Sequence, residues 1–291
     1  MLDRLEIRAT HRSTDTPDTA TKGRQLGGKR PSSFWRIRGE ISPRLHAVLV
    51  VAAFAVPMGL WALLRASGAV NPIFLPSIPE VLGSARDLVR DGQIFSDTLA
   101  SSQRVFIGFG IAIAISIPLG LSMGSFRAVN ALFEPFIGFV RYMPATAFLP
   151  LLLIWLGLDE GPKVALIVIG TVFFNTLMIA NAAWQVPNEF VRVAFTLGAG
   201  NLAVFRKVIF PAALPGIIDA ARVNLAAAWN LIVVAELVAA NEGLGVRIFR
   251  AQKFLRTEEI FAVLLVIGVL GVTCDLALRV LRDRLSPWAQ E

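Results

Sequence analysis

The chain of 291 residues is 55% hydrophobic and 17% charged, with a mean hydropathy of +0.64, whereas soluble domains carry about a quarter charged residues. That balance excludes an ordinary soluble enzyme. One cysteine (Cys274) and two separated histidines (His11 and His46) likewise leave no material for a disulfide framework, a Cys/His metal site or a Ser/His/Asp hydrolase. The formal charge of +7 is uneven: residues 1-44 hold ten Lys/Arg against five Asp/Glu, and the remainder eighteen against sixteen. A basic stretch directly before an apolar run suits a cytoplasmic tail, because Lys and Arg resist translocation; nucleic-acid binding is set aside.

Residues 1-44 mix Thr, Asp, Arg, Gly and Pro without periodicity, a composition predicted to stay unstructured. Gly23, Gly28 and Lys29 approach a phosphate loop, but Arg30 stands where Ser or Thr must ligate magnesium and no strand precedes it. The segment reads as a basic linker near anionic lipid. No small-residue cleavage site follows the first apolar run, so Leu45 to Leu64 is read as a retained span.

Between the first two spans, Ser77-Ile-Pro-Glu80 has the form of a capping box. Val81, Leu82, Ala85, Leu88 and Val89 then recur at helical spacing beside Arg86, Asp87 and Arg90, so an amphipathic helix is predicted along the extracytoplasmic interface. The second span is predicted from about Leu99 to Met123, where Gly120 and Gly124 permit close helix approach. A third, from about Ala128 through Trp155, is interrupted by Pro135, Pro144 and Pro150. Val164 to Ala183, Ala212 to Ala239 and Ile260 to Leu281 complete six crossings of an all-α, polytopic membrane protein with both termini cytoplasmic. Residues 45-285 are the transmembrane domain, and 286-291 a short tail. Arg247, Arg250, Lys253 and Arg256 fit this orientation poorly, since they fall between spans five and six on the outer side.

The polar interval at 184-211 is too polar to cross a membrane and too apolar to lie free in water. Pro187 opens a helix in which Val191, Ala194 and Phe195 share a face, Gly198 allows a sharp turn, and an amphipathic turn follows from Leu202 to Ile209. Such a helix-Gly-helix wants a protein groove or the interface to cover it. Within the spans, polar groups are costly and usually face protein or water. Arg141 and Tyr142 beside the Pro144 break, with Asn175, Asn224, Trp229 and Asn230, are candidate path residues for an anionic solute. The Asn residues also suit interhelical hydrogen bonds, and Asp219 and Arg222 an i, i+3 ion pair. Glu236 near the outer end of span five has three readings: a gate, a contact for a partner, or a solvated carboxylate.

The interval around Gly198 resembles the cytoplasmic signature of permease subunits of ATP-binding-cassette importers, in which E-A-A is followed by three residues, Gly, nine residues and I-x-L-P. Arg192, Val193 and Ala194 stand at the first three positions, and Val208-Ile-Phe-Pro211 at the last four. Arg192 replaces the leading Glu and reverses the sign of that contact. Leu75-Pro-Ser-Ile-Pro-Glu-Val-Leu82, Gly108 through Pro118-Leu-Gly120, Arg141-Tyr-Met-Pro144, Leu149 through Gly157, Pro211 through Gly216, Ala235-Glu236 and Gly243-Leu-Gly245 follow in the order of the nitrate/sulfonate/taurine/bicarbonate group, over roughly residues 72-285. The resemblance implies a non-enzymatic permease without cofactor or metal, paired with a second copy, two cytoplasmic ATPases and an extracytoplasmic solute-binding protein. It places ATPase coupling on Arg192, Val193, Ala194, Leu197, Gly198, Ala199, Phe205 and Pro211. A secondary transporter or channel is the competing class; it calls for inverted repeats or several mid-membrane acids, and neither is evident.

Overall fold

The computed structural model describes residues 41-289. The expectations for residues 1-40, including the near phosphate loop at Gly23 to Arg30, lie outside them. The described residues are helical, and the chain falls into two compact units, Met1–Met58 and Gly59–Glu291. Of the first unit the described part is the start of α1 (Pro43–Ala66), which buries none of its residues. An apolar helix with so much of its surface uncovered belongs in lipid.

In the second unit, the last turns of α1 meet the segment before α2 (Ile78–Arg90): the Trp61 indole donates to the Pro76 carbonyl at 2.8 Å and its ring lies 4.9 Å from that of Phe261. The capping box is present, with the Ser77 amide donating to Glu80 Oε2 at 2.7 Å and the Glu80 amide to Ser77 Oγ at 3.4 Å. Val81 and Leu88 on one face of α2 are buried, as the helical spacing predicts.

Four further helices are long and apolar enough to cross: α3 (Gln93–Ser125), α6 (Glu160–Trp184), α9 (Phe210–Ala239) and α11 (Thr257–Leu285). Between α3 and α6 lie α4 (Arg127–Val140), a 3₁₀ turn (Ala145–Phe148) and α5 (Leu149–Leu156), bent by 80° at the break. Only one of the three prolines expected to interrupt this span does so. Pro135 sits inside α4, Pro150 occupies the first turn of α5, where no hydrogen bond is lost, and the break falls at Arg141 to Pro144.

The bent pair crosses the bundle, and glycine packing shows why. A Cβ on Gly108 would lie 2.8 Å from Ile167 Cβ, and one on Gly120 2.8 Å from Ile179 Cβ, while Gly124 meets Ala183. Equal steps along both helices mean that α3 and α6 run parallel, so α4 and α5 must return the chain from one end to the other. Together with α1 this makes six passages, as the apolar runs predict. Gly120 and Gly124 act in packing only, their missing Cβ atoms letting α3 settle against the α6 backbone. Helix α9 runs antiparallel to α6, with Gly216 against Ala182 and Gly170 against Leu231.

Near the α6-to-α9 connection, α9 and α11 are tied by charge. The expected pair forms, Arg222 Nη1 to Asp219 Oδ1 at 3.2 Å, but the better geometry is one that i, i+3 spacing could not reveal: Arg222 grips Asp275 of α11 through Nε and Nη2, each at 2.9 Å. Arg282 closes the set on Asp219 at 3.3 Å.

Candidate functional site

Two places concentrate chemistry, at opposite ends of the bundle. The first is the connection from α6 to α9. Helix α7 (Asn188–Thr196) ends in a Schellman turn: the Gly198 amide donates to the Phe195 carbonyl at 2.9 Å, and the Ala199 amide to Ala194 at 3.0 Å. Gly198 holds φ at +83°, a left-handed value that glycine adopts without strain. Helix α8 (Asn201–Val204) follows, then a π turn (Phe205–Ile209) in which the Phe210 amide reaches back five residues to the Phe205 carbonyl.

The hairpin has two faces. Val186 and the half-buried Phe205 and Ile209 join the cluster around Ile179, Ala213 and Ile217, Val204 is buried, and the Phe205 ring stacks at 5.9 Å on Phe126 at the α3–α4 turn. Outward stand Val193 (58% exposed), Leu197 (82%) and Leu202 (67%), with Arg192, Arg206 and Lys207 exposed around them. Ala194, Ala199 and Pro211 are half-buried. The expected coupling residues therefore divide into an outward set, Arg192, Val193, Leu197 and Gly198, and a root, Phe205 and Pro211. An apolar tip rimmed by cations is suited to a groove in another protein.

At the other end lies α10 (Leu244–Lys253), and the amides of the residue before it and of its first two residues are all taken by side chains of other helices. Gly243 donates to Asp97 Oδ1 at 2.9 Å, Leu244 to Ser101 Oγ at 2.9 Å, and Gly245 to Glu236 Oε2 at 2.8 Å. Ser101 in turn donates to Glu236 at 2.7 Å. Arg104 Nη1 reaches Glu236 Oε1 and the Glu242 carbonyl, both at 2.8 Å, while its Nη2 and Nε grip Glu160, whose Oε1 also takes Lys163 at 2.8 Å. Arg247 completes the set, donating to Asp97 Oδ2 at 2.6 Å and Gln93 Oε1 at 3.0 Å. Glu236 is 1% exposed. It is neither a solvated carboxylate nor a surface contact, which corrects two of its three expected readings: its oxygens are already occupied inside the fold.

The same geometry accounts for the cations that fit the orientation poorly. Arg247 is spent on Asp97 and Glu259, Arg250 donates to the Asn241 carbonyl at 2.7 Å, Lys253 lies 4.3 Å over the Phe249 ring, and Arg256 stands 3.8 Å from Glu259.

The expected path residues are scattered. Arg141 and Tyr142 are exposed at the 80° bend, with the guanidinium 4.9 Å over its neighbour's ring and Nη2 3.0 Å from the hydroxyl. Arg141 also borders a small cleft with Ala145, Ile169 and Phe173. Asn175 is fully buried in mid-α6 without a hydrogen-bond partner. Trp229 sits in the main core, with Cys274 packed against that cluster. Asn224 bonds the Ala220 carbonyl at 2.9 Å and approaches Met178 Sδ at 3.3 Å, and the exposed Asn230 bonds Ala226 at 3.1 Å. Local spacing does not reveal the far-end network, because its members look like ordinary span-end charges; the readable signal is Gly243-Leu-Gly245 following Glu236. No group of three metal-ligating side chains exists among the described residues.

Comparison with known proteins fits this architecture. A Brucella abortus protein named "Probable ABC transporter permease protein" is 37% identical over 242 residues, covering 83% of this chain and 96% of its own. The taurine transport system permease protein TauC of Escherichia coli is 33% identical over 252 residues, covering 84% and 91%. The fold matches a chain of the MetNI methionine ABC transporter in an inward-facing conformation, with a TM-score of 0.56 at 19% identity over 64% of this chain and 92% of that one. Residues 116–291 match the model of the "binding-protein-dependent transport system inner membrane component". With up to six apolar spans among the described residues, a family match over residues 116–291 and relatives aligned along nearly their whole length, the chain belongs to that family of ABC transporter permeases.

Proposed function

We propose that this chain forms half of the translocation path of an ATP-driven importer for a small anionic solute, and that separate ATPase subunits drive it through the hairpin at 188-209. The observation that carries the reading is the two-faced hairpin: Leu197 and its neighbours face outward on a left-handed glycine turn, while Phe205 roots the same segment against Phe126. Because the hairpin joins α6 to α9, a push on it tilts both helices, which is how access alternates between the two sides. The hairpin end is cytoplasmic, both termini lie on that side, and a second copy of the chain completes the path.

On the opposite side a solute-binding protein delivers the cargo. The taurine relative supports an anion, and the exposed Arg141–Tyr142 pair at the broken span is the cation best placed to meet one. A guanidinium fork held by a neighbouring hydroxyl pairs with a planar or tetrahedral oxyanion.

The test is reconstitution of the chain with its ATPase and solute-binding protein in proteoliposomes, followed by solute-stimulated ATP hydrolysis across sulfonates, bicarbonate, nitrate and carboxylates. Stimulation by one anion class is expected. Uphill uptake without ATPase subunits, or no co-isolation with any ATPase, overturns the reading. Arg141→Ala is expected to lower anion flux with ATPase binding unchanged; equal flux removes Arg141 from the path.

A further inference from the structure

We infer that Arg104 and Glu236 brace the far ends of α3, α6, α9 and α10 into one body, so that a stroke delivered at the hairpin arrives there without shear. The inference rests on the importer reading above.

The geometry sets the argument. Helix α9 rises about 39 Å between Phe210 and Glu236, so a tilt of only about 5° displaces one end by roughly 3 Å relative to the other. Along most of that length α3, α6 and α9 have only isolated polar links, such as Ser116 Oγ to the Val172 carbonyl at 2.9 Å and Asn224 to Met178, and are otherwise held by non-directional apolar contacts and missing Cβ atoms. Such contacts resist separation better than sliding. At the far end the bonds become directional. One guanidinium reaches Glu236 on α9, the Glu242 carbonyl before α10 and Glu160 on α6, while it is carried by α3. Sliding any of the three helices past another breaks at least one of those bonds.

The chemistry agrees with a positional role. Asp97, Arg104, Glu160, Lys163, Glu236 and Arg247 sum to zero formal charge, and all but Glu160 are at least nine-tenths buried. Burying ion pairs is a poor way to gain stability compared with apolar packing, but it fixes relative geometry. Gly243 shows how closely the parts fit: a Cβ there would lie 2.5 Å from the Glu236 carboxyl carbon. The network also involves neither the bend at Arg141 nor the hairpin, which leaves the broken span free to move against the braced body.

Arg104→Lys is the diagnostic change, since it keeps the charge but loses the fork that bridges Glu236 and Glu160. The experiment uses the reconstituted permease–ATPase complex in a Cys274→Ser background, which needs only that one substitution because the chain has a single cysteine. Spin labels go on cysteines placed at the exposed Leu99 of α3 and Val238 of α9, labelled chain is diluted with excess unlabelled chain so that a complex carries one labelled copy, and the separation is read in the nucleotide-free and vanadate-trapped states.

In the unbraced variant, that separation is expected to differ between states, and uptake per ATP to fall about fivefold or more with basal hydrolysis retained. With Arg104 intact it is expected to be the same in both. Unequal separations with Arg104 intact, or wild-type uptake per ATP in Arg104→Lys, overturn the brace. If Arg104→Lys does not accumulate, Glu236→Gln preserves the shape and is read the same way. The importer reading fails differently: no ATPase co-isolates with the parent chain, yet the label pair in the lone permease still reports whether Arg104→Lys broadens the far-end distances.

Discussion

The two ends of the bundle solve opposite problems with similar residue types. At the far end, arginines and carboxylates are spent on one another, and the amides of Gly243, Leu244 and Gly245 at the start of α10 are each taken by a side chain. At the hairpin end, Arg192, Arg206 and Lys207 stand free around exposed Val193, Leu197 and Leu202. The difference teaches where the molecule is finished and where it awaits something. Charge that is consumed internally fixes geometry, and charge left around an apolar tip is available for recognition.

Substitutions can break or sharpen that contrast, beginning with the largest expected loss. Gly243→Ala drives a Cβ into the Glu236 carboxyl group at a φ of +129°, and should destabilise the chain by roughly 3 kcal/mol or more. Thermal unfolding in detergent checks this; an unchanged midpoint means that the far end is less tightly fitted than its geometry indicates. Phe205→Ala removes a half-buried ring from the root of the hairpin and its stack on Phe126, for an expected loss of about 2 kcal/mol.

Leu197→Asp should do the reverse. With the side chain 82% exposed, stability should move by no more than about 0.5 kcal/mol. Co-purification with the ATPase should nevertheless drop by roughly fivefold or more, as for a residue at the centre of an interface. A large fall in unfolding temperature with binding intact would reverse the assignment of the two faces.

The smallest effect concerns pH at α2. The Ser77 backbone amide, and then its hydroxyl, hold the exposed Glu80 carboxyl below its ordinary range. The capping box therefore contributes fully above the usual carboxylate pKa and fades as pH falls through the lower folded value. Protection of the first amides of α2 against hydrogen exchange should fall only in that acidic window; Glu80→Gln should abolish the dependence, and Ser77→Ala, which keeps the backbone amide, should only weaken it.

Much of this was legible in the chain itself, because lipid imposes one requirement on every span: about 20 apolar residues with internal hydrogen bonds. The six passages, the box at Ser77–Glu80 and the turn at Gly198 each follow from a local rule, and all three stand in the structure. Local rules fail where partners are distant. Arg222 has an obvious neighbour in Asp219, yet its bidentate mate, Asp275, lies 53 positions away. Glu236 meets Ser101 and Arg104 from more than 130 positions away, and without that knowledge a carboxylate at a span end reads as solvated. The prolines of the third span show a subtler limit. Whether a proline breaks a helix depends on its place within the turn, which Pro135, Pro144 and Pro150 settle differently.

The wide turn at Phe205–Ile209 carries a consequence of its own. It inserts one residue beyond the ordinary count between the hairpin and α9, and each residue of a helix accounts for about 100° of rotation. Deleting a single position there would leave every side chain of α7 and α8 intact and yet swing the knob around the axis of α9, so that Leu197 points at a different compass bearing. The direction in which the chain offers itself to a neighbour is thus encoded as a residue count.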